Sequence, residues 1–548
     1  MDDRRIIVSI DFGTTYSGIA WSESTRPDIQ HIISTWPAPE GPRDSLKVPT
    51  ELRRVATGWQ WGFQIPEDAK RYRFFKLKLD EPDTANRDGD TPLQLTKIYL
   101  SCLHDHFISL LEKRLSRSVV VETPMDFVVT VPAIWSNTAK QATERAAAMA
   151  GFCGNRRIHL ISEPEAAALY TIKHLGSSAL KSGKKFVICD AGGGTVDLIS
   201  YEVSRADSLA VQEVTEGTGG KCGSAMLNKR FRRFLKQTHG DRHWTNERLV
   251  LAMAEFEAYK KDFTPKGDPL TIRVHESLGL DRNRFTVPRS EMMTRIFGPI
   301  TKDIICLVQE QLSMVGDNVA AVVLVGGFGQ SAYLRAEVQA ALPRGMPVLQ
   351  PKNGWIAVVK GAAIHGLGYY SSSTSPSVMP VQITSRIARR SYGTGLLASY
   401  DMMRHDPKEA IWSSKEGEMV VSEICWFIKK GQSYPEGLFA AIDYGIDIPV
   451  GCGPSPQTEI EILCSDEAEP PVHCTSRTRC IARLSIDLDR IPMSTKVAAG
   501  ITRIGGHRYY CLTGAIEASY GSAMVKYRVK LGGMTHDALT VRYEHEDM

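Results

Sequence analysis

The sequence predicts an α/β fold in its N-terminal part, built from two related halves, and a separate all-β domain after it. The halves are predicted by residues 6–22 and 185–201, each with an apolar run, an Asp-x-Gly turn and a second apolar run. The β domain is predicted because helical patterns nearly vanish beyond residue 380, where short strand-like runs alternate with Gly, Pro and Asp.

The overall composition is typical of a soluble multidomain chain. The chain has 548 residues, which is more than one compact hydrophobic core can organise, so we expect about two to four domains. The net charge of +4 gives no broad basic surface, so nucleic acid is not an expected partner. The start MDDRRIIVSIDFG does not resemble a signal peptide, and no run of about 18 apolar residues predicts a membrane span. The eleven scattered cysteines favour a reduced, cytoplasmic protein.

The first half is predicted to extend over residues 1–183. Its turn, DFGTTYSG, follows the apolar run IIVSI and leads back into a strand. The alanine-rich residues 136–152 predict a helix that begins with cap-type residues and ends at Gly151. Residues 162–175 predict a second helix, with Pro164 in its first turn, where the missing N–H has no cost.

The second half is predicted to extend over residues 184–370, so that residues 1–370 form one domain. FVICDAGGGTVDLIS is its turn-bearing hairpin, and residues 247–263 predict a helix. A related Gly-rich turn occurs in AAVVLVGGFGQSAYL, residues 320–334. Strands mixed with helices, with polar residues near strand ends, indicate an α/β architecture.

A linker and a β domain are predicted for the remainder of the chain. Residues 371–380 are rich in Ser and Pro, which is typical of a linker. Residues 381–548 contain strand-like runs such as EICWFIKKG and TEIEILCSD, separated by turn residues. They predict a β-sandwich-like domain.

The two turns suit a nucleoside triphosphate and its metal. Glycine has no Cβ, so backbone N–H groups can close around phosphate oxygens, and Thr195 adds a hydroxyl donor. The carboxylates of Asp190 and Asp197 can hold Mg²⁺ through its retained waters. The first turn offers a matching set for the other side of the phosphates, namely Asp11, Gly13, Thr14 and Thr15.

Other interpretations of the glycines fit less well. Residues 217–224, GTGGKCGS, superficially resemble a P-loop, but that motif requires Gly at Thr215 and Ser or Thr at Cys222. A Rossmann turn leads into a helix, whereas TVDLISYEV continues as a strand. A plain glycine hairpin would explain one copy, and the second copy argues against it.

Six segments, in order along about residues 6–368, resemble the motifs of one known family. They are IDFGTTYSGIA and CDAGGGTVDLIS (phosphate motifs), VTVPAIWSNTAKQATERAAAMAGF (the connection), ISEPEAAALY (a helix start), VVLVGGFGQSAYL (the adenosine motif) and AVVKGAAIHG (the closing helix). The sequence resembles the actin-like ATPase superfamily and, within it, is identified as a divergent member of the 70-kDa heat-shock chaperone family. This resemblance implies a bilobed, actin-like (ribonuclease H-like) ATPase domain followed by a β-sandwich.

The resemblance implies roles for individual residues around ATP or ADP. The catalytic set would be Asp11, Glu163, Asp190, Thr195 and Asp197. Asp11, Asp190 and Asp197 would surround Mg²⁺ and K⁺, and Glu163 would orient the attacking water unless it is only a first-turn helix charge. The nucleotide-binding set would be Gly13, Thr14, Thr15, Tyr16, Gly192, Gly193, Gly194, Gly223, Glu257, Lys260, Lys261, Gly326 and Gly327. A solvated charged face is the alternative for Glu257, Lys260 and Lys261.

The sequence departs from the family pattern around the phosphates. VPTELRRVATGWQWGFQIPEDAKRYRFFK has no lysine at the offset of the family's catalytic lysine; Lys70 is the nearest replacement and Lys76 the next. Without a cation there, less charge is neutralised as the γ-phosphate leaves, so we expect slow or absent hydrolysis. The other departures are Ser224 and Met226 in place of an acidic pair, and Gln330 and Ser331 in place of Arg and Ile.

The C-terminal domain resembles the family's peptide-binding sandwich only loosely, and we expect it to act without a helical lid. We expect such a domain to bind an extended peptide weakly and to release it quickly. Its aromatic residues are expected to lie mainly in its core: Trp412, Trp426, Phe427 and Tyr444.

Three functions remain open at this point. The first is an ATP-binding, chaperone-like protein whose lobe closure is passed to the β domain, with peptide and co-chaperones as partners. The second is a scaffold that binds nucleotide without hydrolysing it, which the missing lysine favours. The third is a sugar or metabolite kinase of the same superfamily, which the chaperone-type connecting and closing motifs disfavour.

Overall fold

The computed structural model describes residues 4–543 with short gaps. The residues outside the description are 1–3, 68, 82–84, 87–88, 153–157, 180, 206–209, 241–243, 275, 277–279, 370–380, 452–457, 505, 536–538 and 544–548. The predicted linker, residues 371–380, therefore lies outside the described residues. The chain divides into two compact units, one of residues 1–135 with 139–383 and one of residues 136–138 with 384–548. The predicted domain boundaries stay predictions.

The elements up to residue 370 mix strands and helices. The strands are β1 Ile6–Asp11, β2 Tyr16–Glu23, β3 Arg26–Ile32, β4 Thr35–Trp36, β5 Arg43–Asp44, β6 Val48–Pro49, β7 Leu52–Val55, β8 Gly58–Trp61, β9 Met125–Val131, β10 His159–Ser162, β11 Lys185–Ala191, β12 Val196–Arg205, β13 Ala210–Gly220, β14 Leu270–Arg273, β15 Arg284–Val287, β16 Val319–Val325 and β17 Val348–Leu349. The helices are α1 Pro92–Leu115, α2 Arg117–Glu122, α3 Asn137–Met149, α4 Glu163–Ala179, α5 Ala225–His239, α6 Asn246–Lys261, α7 Arg289–Glu291, α8 Gly298–Val315, α9 Gly326–Gly329, α10 Ala332–Ala341 and α11 Ala357–Gly368. Shorter turns of 3₁₀ or π type include Gly62–Gln64, Lys76–Asp80, Met292–Phe297 and Gly354–Ile356.

β1 lies at the centre of the first sheet, whose order is β10-β9-β1-β2-β3. It runs parallel to β9 and antiparallel to β2, while β9 is parallel to β10 and β2 antiparallel to β3. Every residue of β1 is buried, because the sheet is covered on both faces at this strand. This explains the continuous apolar run IIVSI, which ends at Asp11.

The second sheet repeats this arrangement, since it includes the strands β17-β16-β11-β12-β13 in this order. β11 is parallel to β16 and antiparallel to β12, β16 is parallel to β17, and β12 is antiparallel to β13. The central strands β1 and β11 therefore have equivalent neighbours. Asp11 and Asp190 lie near the end of these two strands, next to the turn into an antiparallel partner.

Helices α4 and α11 lie between the two sheets and pack against each other. Ser9 Oγ in β1 donates a 2.7 Å hydrogen bond to the carbonyl of Val359 in α11. A Cβ on Gly361 of α11 would overlap the carbonyl oxygen of Ala166 in α4, so glycine is required for this close approach. The apolar cluster around the two helices includes Ile7, Val128, Ile188 and Val323 from the two sheets.

The C-terminal unit consists mainly of strands. They are β18 Gln382–Ile387, β19 Ser391–Ser399, β20 Ile411–Ser413, β21 Glu418–Ile428, β22 Ser433–Pro435, β23 Ala440–Pro449, β24 Thr458–Ser465, β25 Arg479–Ile486, β26 Ile501–Ile504, β27 His507–Tyr520, β28 Val525–Leu531, β29 Met534–Thr535 and β30 Leu539–Tyr543, with the short helix α12 Met493–Ala498. One sheet has the order β20-β21-β19-β24-β25-β30, and the other has β23-β27-β28-β29 with β26 beside β27. Side chains from both sheets share one apolar core, including Ile446, Ile462, Leu484 and Leu512.

The mixed α/β part and the mainly β part agree with the coarse fold class predicted from the sequence. The predicted helices over 136–152, 162–175 and 247–263 correspond to α3, α4 and α6. The third Gly-rich segment is not a hairpin: after β16 the chain forms the short helix α9. None of the helices in the described ranges is both long and apolar enough to span a membrane.

The aromatic residues of the C-terminal unit differ in exposure. Phe427 is buried in the core, and Tyr444 packs against it. Trp426 is half-buried, and its Nε1 donates a 2.8 Å hydrogen bond to the carbonyl of Pro471. For Trp412 the prediction of a core position is wrong, because this residue is 63% exposed on the short strand β20.

Candidate functional site

The first glycine turn, between β1 and β2, is held by Thr50. Thr50 Oγ1 donates a 2.8 Å hydrogen bond to the carbonyl of Gly13, and its backbone N–H donates one of 2.9 Å to the carbonyl of Thr15. A Cβ on Gly13 would overlap the carbonyl oxygen of Tyr16. The turn therefore requires glycine at this position, and its carbonyls are engaged by Thr50.

The second glycine turn, between β11 and β12, is held in the same way by the start of α5. The backbone N–H groups of Gly223, Ser224 and Ala225 donate to the carbonyls of Gly194, Gly192 and Gly193, at 2.8–3.1 Å. Asp190 and Asp197 are directly opposite each other in the β11–β12 ladder. Asp197 Oδ1 also accepts the N–H groups of Ala133 and Ile134, at 3.0 and 3.2 Å, which links this hairpin to the segment after β9.

The two turns face each other in direct contact. A Cβ on Gly194 would lie 2.6 Å from Thr14 Oγ1, and one on Gly193 would overlap the side chain of Thr15. A Cβ on Gly223 would lie 2.6 Å from backbone atoms of Gly193 and Gly194. Glycine at these three positions therefore lets two backbone turns and a helix start converge on one point. The structure thus brings together the residues that the sequence assigned to the phosphates.

A cluster of buried carboxyl groups lies beside the two turns, formed by Asp11, Glu163, Asp190 and Asp197. Burial raises the pKa of Glu163 to about 7; Lys76 opposes the rise, and Asp11 and Asp197 add to it. Burial, followed by repulsion from Glu163 and Asp197, raises the pKa of Asp190 well above its usual range. These shifts show that the carboxyl groups lie close enough to repel one another.

Lys76, the second of the two replacements considered from the sequence, supplies a cation at this cluster. Its Nζ lies 2.5 Å from Glu163 Oε1, and its side chain is 1% exposed. The ammonium also lies 5.4 Å from the ring centre of Phe12 and 5.1 Å from that of Trp135. Lys70, the replacement nearest in sequence, is exposed. Lys76 is thus the lysine that reaches the carboxyl groups.

Two residues of the site were missed by the sequence analysis, Lys47 and Trp355. Lys47 Nζ lies 2.5 Å from Asp11 Oδ2. The Trp355 ring packs edge-on against Tyr16 at 5.7 Å, lies 5.9 Å from Lys47 Nζ, and is 3.5 Å from the position of a Cβ on Gly327. Neither residue belongs to a recognisable motif. The available signal was the position of Lys47 directly before VPT, the segment that pairs with the first hairpin.

The residues assigned to adenosine lie on α6 and at the start of α9. Lys260 Nζ is 2.7 Å from Glu257 Oε2 and 2.9 Å from Asn228 Oδ1. Burial lowers the pKa of Lys260, while Glu257 opposes this change. Lys261 is exposed, so Lys260 is the lysine that pairs with Glu257.

Gly326 and Tyr16 connect this region to the acidic cluster. Gly326 has a φ of +80°, and a Cβ there would overlap Asp190 Oδ1. The pKa of Tyr16 is raised by burial and then by the negative charge of Glu257. The roles predicted for these residues stay predictions.

The departures from the family pattern also have defined places. Ser224 precedes α5 and uses its backbone N–H to bind Gly192. Met226 packs against the core of the second half. Ser331 begins α10, where its Oγ accepts the N–H of Leu334 at 3.4 Å. Gln330 lies against Gly354, where a Cβ would overlap its side chain.

The donor set of the cluster fits Mg²⁺. It offers carboxylate oxygens and hydroxyls and no thiolate, which is what a hard divalent cation prefers. Burial and the neighbouring carboxyl groups raise the pKa of Asp190, and the positive charge of Lys47 opposes this rise. Among the described residues, no three His, Cys, Asp or Glu side chains converge closely enough to hold a metal directly. A water-mediated site, as the sequence predicts, is compatible with this arrangement.

The comparisons with known proteins point to one family. Residues 105–374 match the family described as Hsp70 protein. The chain is 25% identical over 513 residues to human "Heat shock 70 kDa protein 12A", covering 74% of each chain. It is 25% identical over 516 residues to human "Heat shock 70 kDa protein 12B", covering 74% of this chain and 73% of the relative. It is 24% identical over 353 residues to "Chaperone protein DnaK" of Thermosipho africanus, strain TCF52B, covering 59% and 53%.

These matches agree with the six motifs read from the sequence and with the two facing glycine turns. They include relatives from a mammal and from a bacterium. The chain therefore resembles the 70-kDa heat-shock protein family, through the match of residues 105–374 and through relatives that it covers to about three quarters of their length.

Proposed function

We propose that this chain is an ATP-binding, chaperone-like protein with a bilobed, actin-like ATPase domain over residues 1–370. The observation that supports it most is the contact of Gly193 and Gly194 with Thr15 and Thr14, which brings two phosphate-type turns against one acidic cluster. The repeated strand order of the two sheets supports two ribonuclease H-like halves, about 1–183 and 184–370. Nucleotide would bias the closure of these halves, and the motion would pass to the C-terminal β domain, residues 381–548.

The side chains at the turns supply the chemistry for slow ATP hydrolysis. Backbone donors and the hydroxyls of Thr14, Thr15 and Thr195 would hold the phosphates. Glu163, with a pKa of about 7, can accept a proton from a water molecule near neutral pH. Lys76 fixes the Glu163 carboxylate and places positive charge near the γ-phosphate. Bound Mg²⁺ would add neutralisation of the phosphate charge, held by Asp190 and Asp197 through water.

A nucleotide-binding scaffold without hydrolysis is the second candidate. The observation that favours it is at Asp11, whose two carboxylate oxygens accept from Lys47 Nζ and from Thr130 Oγ1. An Asp11 engaged in this way is less suited to hold water or metal for the reaction. Single-turnover hydrolysis by the purified protein separates the candidates: a rate no better than buffer supports the scaffold.

We propose that the C-terminal domain binds extended peptide. Apolar side chains are exposed around β20 and the segment before it, namely Met402 (79%), Met403 (87%), Ile411 (57%) and Trp412 (63%). β20 is an edge strand, because β21 is its partner on one side only in the sheet order. An extended peptide could add to such an edge and cover these side chains. We propose a cytoplasmic location, since the described cysteines are free thiols.

Replacing Asp190 by lysine should abolish nucleotide binding. The new ammonium would lie in the cluster where the metal is expected and would repel it. Titration calorimetry of ATP and ADP, with and without Mg²⁺, measures the effect. Asp105→Lys is the matched control, since Asp105 is exposed on α1, and it should bind like the wild type. Unchanged affinity of Asp190→Lys for ATP would show that the site is elsewhere.

Replacing Gly223 by valine should weaken ADP binding about 100-fold or more, because the turn would be displaced by about an ångström. Its Cβ would meet backbone atoms of Gly193 and Gly194, which cannot move without distorting the second turn. Gly220→Ala is the control, because a Cβ there makes only ordinary contacts with Leu307 and Cys222, at 3.4 and 3.5 Å. Equal affinities of the two variants in calorimetry would contradict this use of the turn.

A further inference from the structure

Lys47 binds Asp11 within the protein interior. The side chain of Lys47 is 7% exposed, and its Nζ is 2.5 Å from Asp11 Oδ2. Its stem passes beside Gly18, where a Cβ would lie 3.1 Å from Lys47 Cγ. Gly18 is the partner of Asp11 in the β1–β2 ladder. Because glycine has no side chain, the stem of Lys47 can pass beside Gly18 and reach Asp11.

Asp11 has a donor from the protein at each carboxylate oxygen. Oδ2 accepts from Lys47, and Oδ1 accepts from Thr130 Oγ1 at 3.4 Å. A carboxylate that serves mainly to bind exchangeable ions would present oxygens without such partners. The arrangement at Asp11 is instead a buried ion pair completed by a hydroxyl.

The charges of the cluster indicate what Lys47 replaces. Its carboxyl groups are those of Asp11, Glu163, Asp190 and Asp197, and two lysine ammonium groups contact them, those of Lys47 and Lys76. With all carboxyls ionised, the two lysines leave two negative charges, which a single divalent cation balances. Without Lys47, one more positive charge would be required next to Asp11.

We propose that the ammonium of Lys47 is a built-in monovalent cation of the candidate nucleotide site, in place of an exchangeable alkali ion at Asp11. This inference rests on the nucleotide-binding function proposed above. An ammonium carries the same single charge as K⁺ and is held by its own chain, so its occupancy does not depend on the salt. Wild-type protein should therefore bind Mg–ADP independently of K⁺, and removal of the ammonium should create a K⁺ requirement.

The first test is calorimetric titration of ADP with Mg²⁺ in KCl and in tetramethylammonium chloride at equal ionic strength. The wild-type Kd should agree within about twofold between the salts, which is less than 0.5 kcal/mol. Lys47→Met should bind about tenfold more weakly in tetramethylammonium, and KCl should restore most of the loss. Lys185→Met is the matched control: Lys185 Nζ donates to the carbonyl of Val315 at 3.0 Å, at the opposite end of β11 from Asp190, and its variant should behave like the wild type.

The second test needs no nucleotide and separates this inference from the proposed function. K⁺ should raise the thermal unfolding midpoint of nucleotide-free Lys47→Met by about 2–4 °C and leave the wild type unchanged. If K⁺ stabilises the variant in this way but the wild type binds no ADP, the proposed role of Lys47 stands. The proposed nucleotide site is then refuted. If Lys47→Met does not fold, Gly18→Val displaces the lysine stem without removing it and should become K⁺-responsive instead. A wild type that responds to K⁺ as strongly as the variant, or variants without any K⁺ response, would overturn the inference.

Discussion

Replacing Gly361 by alanine should lower the free energy of unfolding of the N-terminal unit by about 3 kcal/mol or more. The added Cβ would overlap the carbonyl oxygen of Ala166, which is a backbone atom fixed in helix α4. The helices α4 and α11 would have to separate, although they pack between both sheets in one apolar cluster. Urea unfolding followed by tryptophan fluorescence measures the effect, because seven of the nine tryptophans lie in residues 1–370.

The control for this prediction lies seven positions later in the same helix. Among the described residues beyond its own helix backbone and chain neighbours, none has an atom within 4 Å of the position of a Cβ on Gly368. Gly368→Ala should therefore leave stability unchanged or raise it by about 0.4–1 kcal/mol, through the lower entropy of the unfolded chain. Equal stability of the two variants would contradict the requirement for glycine at the contact with Ala166.

Replacing Lys76 by methionine should destabilise the N-terminal unit by about 3 kcal/mol at pH 8 and slow single-turnover ATP hydrolysis by about 100-fold or more. Lys76 is 1% exposed and pairs with Glu163, so its loss leaves a buried carboxylate without its cation. Nucleotide affinity should change much less than the rate, because the turns and the adenosine side remain in place. Urea unfolding and rapid-quench kinetics give the two quantities.

The pH dependence of this variant follows from Glu163. Its folded pKa of about 7 exceeds its usual value of 4.5, so the native state binds more protons between these values and loses stability as the pH rises through them. Lys76 lowers this pKa, and its removal should extend the loss to higher pH. The deficit of Lys76→Met should therefore be larger at pH 8 than at pH 6. Combining it with Glu163→Gln should recover most of the stability; a double variant as unstable as the single one would contradict the ion pair.

The sequence was sufficient for the two turns because their signal is local. An Asp-x-Gly turn between two apolar runs lies within about a dozen residues, and the contact that requires Gly13, with the carbonyl oxygen of Tyr16, lies within the same turn. Helical patterns and cap-type residues, which are also local signals, predicted α3, α4 and α6. The repetition of the motif also anticipated that Asp11 and Asp190 would occupy similar positions in their sheets.

The cations of the site could not be predicted in this way. Lys76 and Glu163 are 87 residues apart, and Lys47 and Asp11 are 36 apart, so their pairing depends on how separate segments pack. Lys70 was favoured because it lies nearest to the position at which the family has its catalytic lysine. Insertions in loops change such spacings at little energetic cost, so the spacing did not identify Lys76. The place of Trp355 beside Tyr16 is likewise set by tertiary packing between two halves of one unit.

Helix α4 begins at Glu163 and contacts α11 at Ala166, one turn later. The carboxyl group that pairs with Lys76 is therefore attached to the same helix that approaches α11 closely at Ala166. A helix does not bend appreciably over one turn. A tilt of α4 at its contact with α11 therefore also shifts the Glu163 carboxyl group. Conservative enlargement of small residues around this contact should therefore displace the Glu163 carboxyl group without touching any ligand.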